Sequence, residues 1–135
     1  FLRMLNFNVI NLHNSFLPWN RGADPNLWSL LGDSPRGVSL HYMEPGLDKG
    51  AVIAQQIVPL SPKDTLKSSY NALDAAAQEQ FRQAFEYYFF WPEMKKRPLG
   101  MGSYHSVRDG ERLRKLIDTY DMPVEEFRRR VRESG

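Results

Sequence analysis

Asn11, His13 and Asp48 are the residues of this chain whose types and spacing could do acid–base chemistry together. Residues 8–13 read Asn-Val-Ile-Asn-Leu-His, and a strand period of two puts Val9, Asn11 and His13 on one face, with Ile10 and Leu12 on the other. Two polar side chains therefore share a face at a strand end. Asp48 stands in a glycine-flanked loop 35 residues beyond His13, enough chain for a helix, a strand and a return. An aspartate facing a histidine raises its basicity and fixes its tautomer, and an asparagine amide donates to a developing oxyanion. The spacing alone equally fits turn formers and caps, and both readings stand at this point. His41, on the face of a second strand, reads as a structural histidine.

Composition narrows the chemistry. Among 135 residues the apolar set is 41%, ordinary for a globular chain, so one domain or most of one is expected and intrinsic disorder is excluded. The net charge of +2 is too small for a nucleic-acid coat, so nucleic acid is not the expected partner. No Cys is present, which excludes disulfides, thiolate metal sites and cysteine nucleophiles and points to the cytoplasm. The three His, at 13, 41 and 105, lack the short helical spacing of a zinc pair, and no metal is expected. The run Tyr87 to Trp91 is far short of the roughly 18 apolar residues that a membrane span needs. No basic-then-apolar leader follows Phe1, so no signal peptide and no membrane partner are expected.

The elements that must position the three residues follow from periodicity. After the strand, 14–22 reads as a loop with apolar punctuation at Phe16, Leu17 and Trp19. A short helix is predicted next, capped by Asp24, with Pro25 at its first position, Leu27, Trp28, Leu30 and Leu31 inward, and Gly32 as its stop. Residues 37–43 alternate Val38, Leu40 and Tyr42 against Ser39, His41 and Met43, a half-buried strand. Residues 51–59 should pair with it as a hairpin across the loop 44–50. Ser61-Pro-Lys-Asp64 reads as a capping box opening a long helix from Pro62 to about Phe90, with Leu66, Leu73, Phe81, Phe85 and Phe89 buried. The tail from Glu93 holds 11 of the 18 Lys and Arg and predicts two short helices, Val107 to Tyr120 and Pro123 to Arg132. Its Arg128 to Arg132 run reads as a solvated face. The fold class is α/β, a mixed sheet of about three strands with a long helix and a helical tail.

The local wording is more specific than the spacing. Asn11-Leu-His13-Asn-Ser15-Phe-Leu17-Pro18, Gly22, Gly37-Val-Ser-Leu-His41, Gly46-Leu-Asp48-Lys-Gly50 and Ala54-Gln55 together resemble the catalytic half of the 10-formyltetrahydrofolate-dependent formyltransferases. The resemblance covers roughly Asn6 to Trp91. It implies the second half of a Rossmann-like formyltransferase domain over 1–92 and a helical extension over 93–135. It also implies that Asn11, His13 and Asp48 are the catalytic triad, that 10-formyltetrahydrofolate donates the formyl group, and that Met43, Glu44, Pro45, Gly46 and Leu47 supply backbone to the pterin pocket. An amine would attack the formyl carbon and no metal would be needed. Phe16 and Leu17 would pack under the site.

His13-Asn14-Ser15 replaces the His-Pro-Ser usual in the family. That wording, Pro18-Trp-Asn-Arg21-Gly-Ala-Asp-Pro25 and Gly102-Ser-Tyr-His105 are similar to the amino-sugar branch, which makes a sugar nucleotide the expected amine substrate. Tyr104 and His105, after Gly100-Met-Gly102, are candidate substrate-binding residues that could meet a nucleotide base. The family's methionyl-tRNA members and its arabinose-modifying enzyme carry a β-barrel module, which the helical pattern after Trp91 does not fit. Relatives begin with a nucleotide-binding-like half, so this chain is expected to be a fragment that is inert alone. Three alternatives stay open: a non-catalytic remnant or homodimerisation module, a methionyl-tRNA formyltransferase, and hydrolysis of the formylated folate.

Overall fold

The computed structural model describes residues 9–43, 51–90 and 100–135. Strand β1, Ile10–His13, lies antiparallel on β3, Gly37–Tyr42, which lies antiparallel on β4, Val52–Ile57, giving the sheet order β1-β3-β4. The register sets Asn11 opposite His41 and His13 opposite Ser39. These four polar residues share one face because side chains alternate along each strand. Leu12, Val38 and Leu40 take the other face, where Leu12 and Val38 join Leu73, Ala76 and Ala77 of the long helix α2, Leu66–Phe90. Between β3 and β4 the register shifts at Leu40/His41, a bulge that ends regular pairing next to His41.

Strand β3 departs from the half-buried pattern predicted for it, since all six of its residues are buried. It is the centre strand, and the segment 15–17 lies over its polar face. There Ser39 Oγ donates to the Ser15 carbonyl at 2.7 Å and accepts from Leu17 N at 3.0 Å, while Gln55 Nε2 donates to the Leu17 carbonyl at 2.7 Å. Polar alternation in this strand therefore marks a hydrogen-bonded interior rather than solvent.

A second sheet is two residues wide: β2, Arg21–Gly22, runs parallel to β5, Tyr104–His105. It ties the tail to the first loop. Around it the short helix α1, Pro25–Ser29, and the tail helices α3, Val107–Arg114, and α4, Val124–Ser134, enclose a second core of Leu27, Leu30, Leu66, Leu113, Met122, Val124 and Phe127. The tail thus shares a core with the start of α2.

Several boundaries differ from the sequence reading. Helix α2 begins at Leu66, not Pro62: Thr65 Oγ1 accepts from Ser68 N and Ser68 Oγ accepts from Thr65 N, a reciprocal cap, while Asp64 turns back onto Ser61 N at 2.8 Å to close a separate turn. Asp24 does not cap α1. It sits in the left-handed region at φ 51 and makes no side-chain cap bond, because its carboxylate is drawn away to Arg114 of α3. Helix α1 stops at Ser29 with Leu30 as its cap, short of Gly32, and α3 stops at Arg114. Phe81 and Phe85, expected in the core, are 41% and 50% exposed, because the face that this half of α2 turns inward carries Gln80 and Ala84, 6% and 9% exposed. The side chain of Phe89 lies outside the described residues.

Candidate active site

Asn11 and His13 project together from β1, as their spacing requires, and His41 completes a polar cluster from β3. The rings of His13 and His41 meet edge to face with centroids 6.4 Å apart. His41 Nδ1 lies 2.9 Å from the Tyr42 carbonyl, which can only accept, so Nδ1 carries the proton and Nε2 is left as an acceptor. Asn11 Nδ2 stands 3.5 Å from that Nε2. The contact orients the amide with its N–H₂ toward His41. An amide nitrogen has two hydrogens, so one interaction of this kind leaves donor capacity for a developing negative charge. His41, 2% exposed and hydrogen-bonded on both nitrogens, fits the structural role read for it.

His13 is 8% exposed, and its Nε2 lies 3.1 Å from the carbonyl of Asn20. A carbonyl cannot donate, so Nε2 bears a hydrogen in this contact. Asp48, Glu44, Pro45, Gly46 and Leu47 lie outside the described residues. Of the expected pterin loop Met43 alone is described: it is half-buried, and its N donates to the Val9 carbonyl at 2.7 Å, continuing the β1·β3 pairing. Among the described residues no cluster of His, Asp or Glu is arranged to hold a metal ion.

A cavity of about 730 Å³ opens beside His13 and Asn14, bounded by the first turns of α1 and by one face of α2; Asp24, Lys67, Tyr70 and Tyr120 are among its walls. Its size falls in the range of small-ligand sites. Tyr120 reaches it from the tail, where its carbonyl accepts from Lys67 N at 2.8 Å. Tyr104 and His105 do not line this cavity. The His105 ring stacks flat on Trp28, centroids 3.8 Å apart at 6°, and faces a separate shallow cleft with Arg108 and Arg112. Burial against Trp28 lowers the His105 pKa below the usual 6.5, partly offset by Asp109.

Residues that the sequence reading passed over hold this arrangement. Arg36, 7% exposed, spans the gap between the sheet and α2, donating to the Val58 and Ser69 carbonyls and to Asn26 Oδ1. Burial lowers its pKa, with Asp64 acting in opposition. The two tracts that resemble the amino-sugar branch, 18–25 and 102–105, meet each other: Ser103 N donates to the Pro18 carbonyl, Arg21 N to the Ser103 carbonyl and Ala23 N to the His105 carbonyl. Gly102 is required there because a Cβ would collide with the backbone of Pro18. The sequence reading did not expect them to meet, since no local periodicity links positions about 80 residues apart.

Comparison with known proteins identifies the family and the fold. The family described as formyl transferase matches residues 1–85. A methionyl-tRNA formyltransferase of Myxococcus xanthus is 39% identical over 83 residues, covering 61% of this chain and 27% of that protein. The formyltransferase PseJ of Anoxybacillus kamchatkensis, solved with UDP-4,6-dideoxy-4-formamido-L-AltNAc and tetrahydrofolate, superposes with a TM-score of 0.86 at 39% identity, over 93% of this chain and 67% of that one. An N-formyltransferase of Helicobacter canadensis, solved with folinic acid and dTDP-3-aminofucose, gives 0.68 at 26% identity over 76% of this chain and 39% of that one. The chain spans about a quarter of the length of the methionyl-tRNA formyltransferases it matches. Among the described residues no helix is long and apolar enough to cross a membrane.

Proposed function

The chain belongs to the formyl transferase family, and on that premise we propose that it carries the catalytic face of an enzyme that moves a formyl group from 10-formyltetrahydrofolate to the amine of an amino-sugar nucleotide. The observation that supports the substrate class is the reach of the likeness to PseJ, solved with a UDP-linked sugar: it runs over 93% of the chain at 39% identity and so extends past residues 1–85 into the tail. The tail also supplies Tyr120 to the cavity beside His13, so the part that distinguishes the branches stands where an acceptor would bind. Residues 93–135 are read as an extension folded onto the catalytic half, 1–92.

The folate supplies a formyl group on an amine nitrogen that can leave. In this reading the acceptor amine enters the cavity beside His13 and Asn14. As the amine nitrogen bonds to the formyl carbon, negative charge develops on the formyl oxygen, and the Asn11 amide donates to it. His13 and Asp48 form the acid–base pair: a water that donates to both the Asp48 carboxylate and Nδ1 orients the imidazole, and the proton leaving the attacking nitrogen passes along it. As the adduct collapses, the bond from the formyl carbon to the folate nitrogen breaks while that nitrogen takes up a proton and tetrahydrofolate leaves. The Met43 to Leu47 loop would hold the pterin, and Tyr104 and His105, walled off from this cavity, would meet only the distal part of a nucleotide.

The test is tetrahydrofolate release by the protein expressed with its complete reading frame. The acceptors are UDP- and dTDP-linked amino sugars, glycinamide ribonucleotide, methionyl-tRNA and water alone. The reading expects one amino-sugar nucleotide to give the highest kcat/KM. Turnover fastest with methionyl-tRNA, or equal without any amine, would replace it with the tRNA or the hydrolase reading.

A further inference from the structure

The interaction that aims His13 comes from the backbone of Asn20, and the grip on Asn20 comes from the tail. Asn20 is 4% exposed and adopts φ 55, a left-handed conformation that asparagine tolerates better than most residues. That conformation turns its carbonyl onto His13 Nε2 at 3.1 Å. Every polar group of Asn20 is engaged: its N–H donates to Ser103 Oγ at 2.8 Å, its Nδ2 donates to Ser34 Oγ at 3.2 Å, and its Oδ1 lies 3.5 Å from the Ser103 hydroxyl. Ser103 therefore holds Asn20 by backbone and side chain at once, accepting with its oxygen and donating with its hydrogen. Ser103 is itself fixed by the Pro18 carbonyl and by Arg21 N.

We propose that Asn20 and Ser103 are positioning residues for His13: together they lock Nε2 as a hydrogen-bond donor, so that protons come and go only at Nδ1 while the ring stays still. The inference rests on the catalytic reading of His13. The carbonyl of Asn20 accepts from Nε2–H whether the imidazole is neutral or cationic. Nδ1 can then take up a proton passed from the attacking amine through a water shared with Asp48, or return one, without a ring flip or a change of tautomer. Ser103 lies beyond the matched 1–85 stretch, so a tail residue governs the protonation geometry of a histidine in the family core.

The ring nitrogens of His13 report this directly. Selective ¹⁵N labelling of the three histidines in the full chain distinguishes the Nε2–H from the Nδ1–H form at neutral pH. The wild-type His13 is expected in the Nε2–H form; an Nδ1–H form overturns the proposal without any variant. In Ser103→Ala the His13 signals should move toward a mixture of tautomers, and Ser103→Thr, which keeps the hydroxyl, should restore them. In the complete protein Ser103→Ala should lower kcat by about ten- to a hundredfold, with KM for donor and acceptor within twofold. A kcat loss with unchanged His13 nitrogens would make Ser103 merely structural and overturn the proposal, as would no change in either. If the tautomer behaves as expected while no amine is formylated, the positioning stands and the catalytic reading fails.

Discussion

The strand cluster of Asn11, His13 and His41 and the junction of β2 with β5 are built on opposite plans. In the cluster, side chains are set by directional contacts, Asn11 on His41 thirty positions away and each histidine on a main-chain carbonyl, of Asn20 and of Tyr42, that fixes which ring nitrogen donates. The junction is made of backbone hydrogen bonds, an Asp24–Arg114 ion pair and a stacked Trp28–His105 pair. It closes a loop of about eighty residues and leaves no room for a Cβ at Gly22 or Gly102. The difference teaches where precision is kept: the rigid backbone joint lies outside the reacting groups and transmits its geometry to them through one carbonyl, that of Asn20. The strand cluster needs chemistry from its side chains, and the junction needs only shape.

That contrast breaks most visibly through stability. Phe127→Ala, in the core that the tail shares with α1 and α2, should cost about 3–5 kcal/mol in urea unfolding, whereas Phe81→Ala, on the exposed side of α2, should cost well under half of that. Equal costs would mean that the tail is an appendage and not part of the fold that positions His13. Next in size, His13→Ala and Asp48→Ala should each lower turnover of the complete protein by about a hundredfold or more while KM barely changes, measured as formyl transfer. Turnover left intact by His13→Ala would place the chemistry elsewhere.

The arginine run sharpens the comparison at a smaller scale. Arg128 Nε donates to the Leu30 carbonyl at 2.7 Å and so caps α1 from α4, whereas Arg129, half exposed, pairs only with Glu126 and Glu133 of its own helix. Arg128→Ala should lower stability by about 1 kcal/mol and Arg129→Ala should leave it nearly unchanged, read as a shift in the urea midpoint. The smallest effect is one of pH. His105 is held neutral by burial, so its folded pKa lies below the unfolded value of 6.5 and the unfolded chain binds the extra proton first. Its contribution is whole above about pH 6.5 and is lost as pH falls below that. His105→Phe, which keeps a ring on Trp28, should flatten this part of the stability profile; an unchanged slope would assign it to other groups.

Periodicity made the sheet legible. The alternation at 9–13 and 38–43 put Asn11 and His13 on one face and Leu12 on the other, and β1 and β3 obey it. It misjudged burial in two opposite ways: Ser39 is buried because segment 15–17 covers it, and Phe81 and Phe85 are half exposed because Gln80 and Ala84 take the inward face of α2. The first depends on neighbours distant in sequence. The Arg128 to Arg132 run likewise looked uniformly solvated, but Arg128 and Arg130 each reach a main-chain carbonyl, those of Leu30 and Leu116. Asn20 and Ser103 were visible only as members of two tracts with branch-specific wording. Their pairing spans 83 positions, and a left-handed backbone at Asn20 leaves no periodic trace.

The central claim is that Asn11, His13 and Asp48 form one site. A crystal structure of the complete protein with a folate and an amino-sugar nucleotide bound measures it most directly. The account predicts the His13 imidazole and the Asp48 carboxylate within hydrogen-bonding reach, or one water apart, with the acceptor amine in the cavity beside Asn14 and the Asn11 amide turned toward the formyl oxygen. His13 and Asp48 side chains more than about 8 Å apart in that complex, beyond any single bridging water, would contradict it.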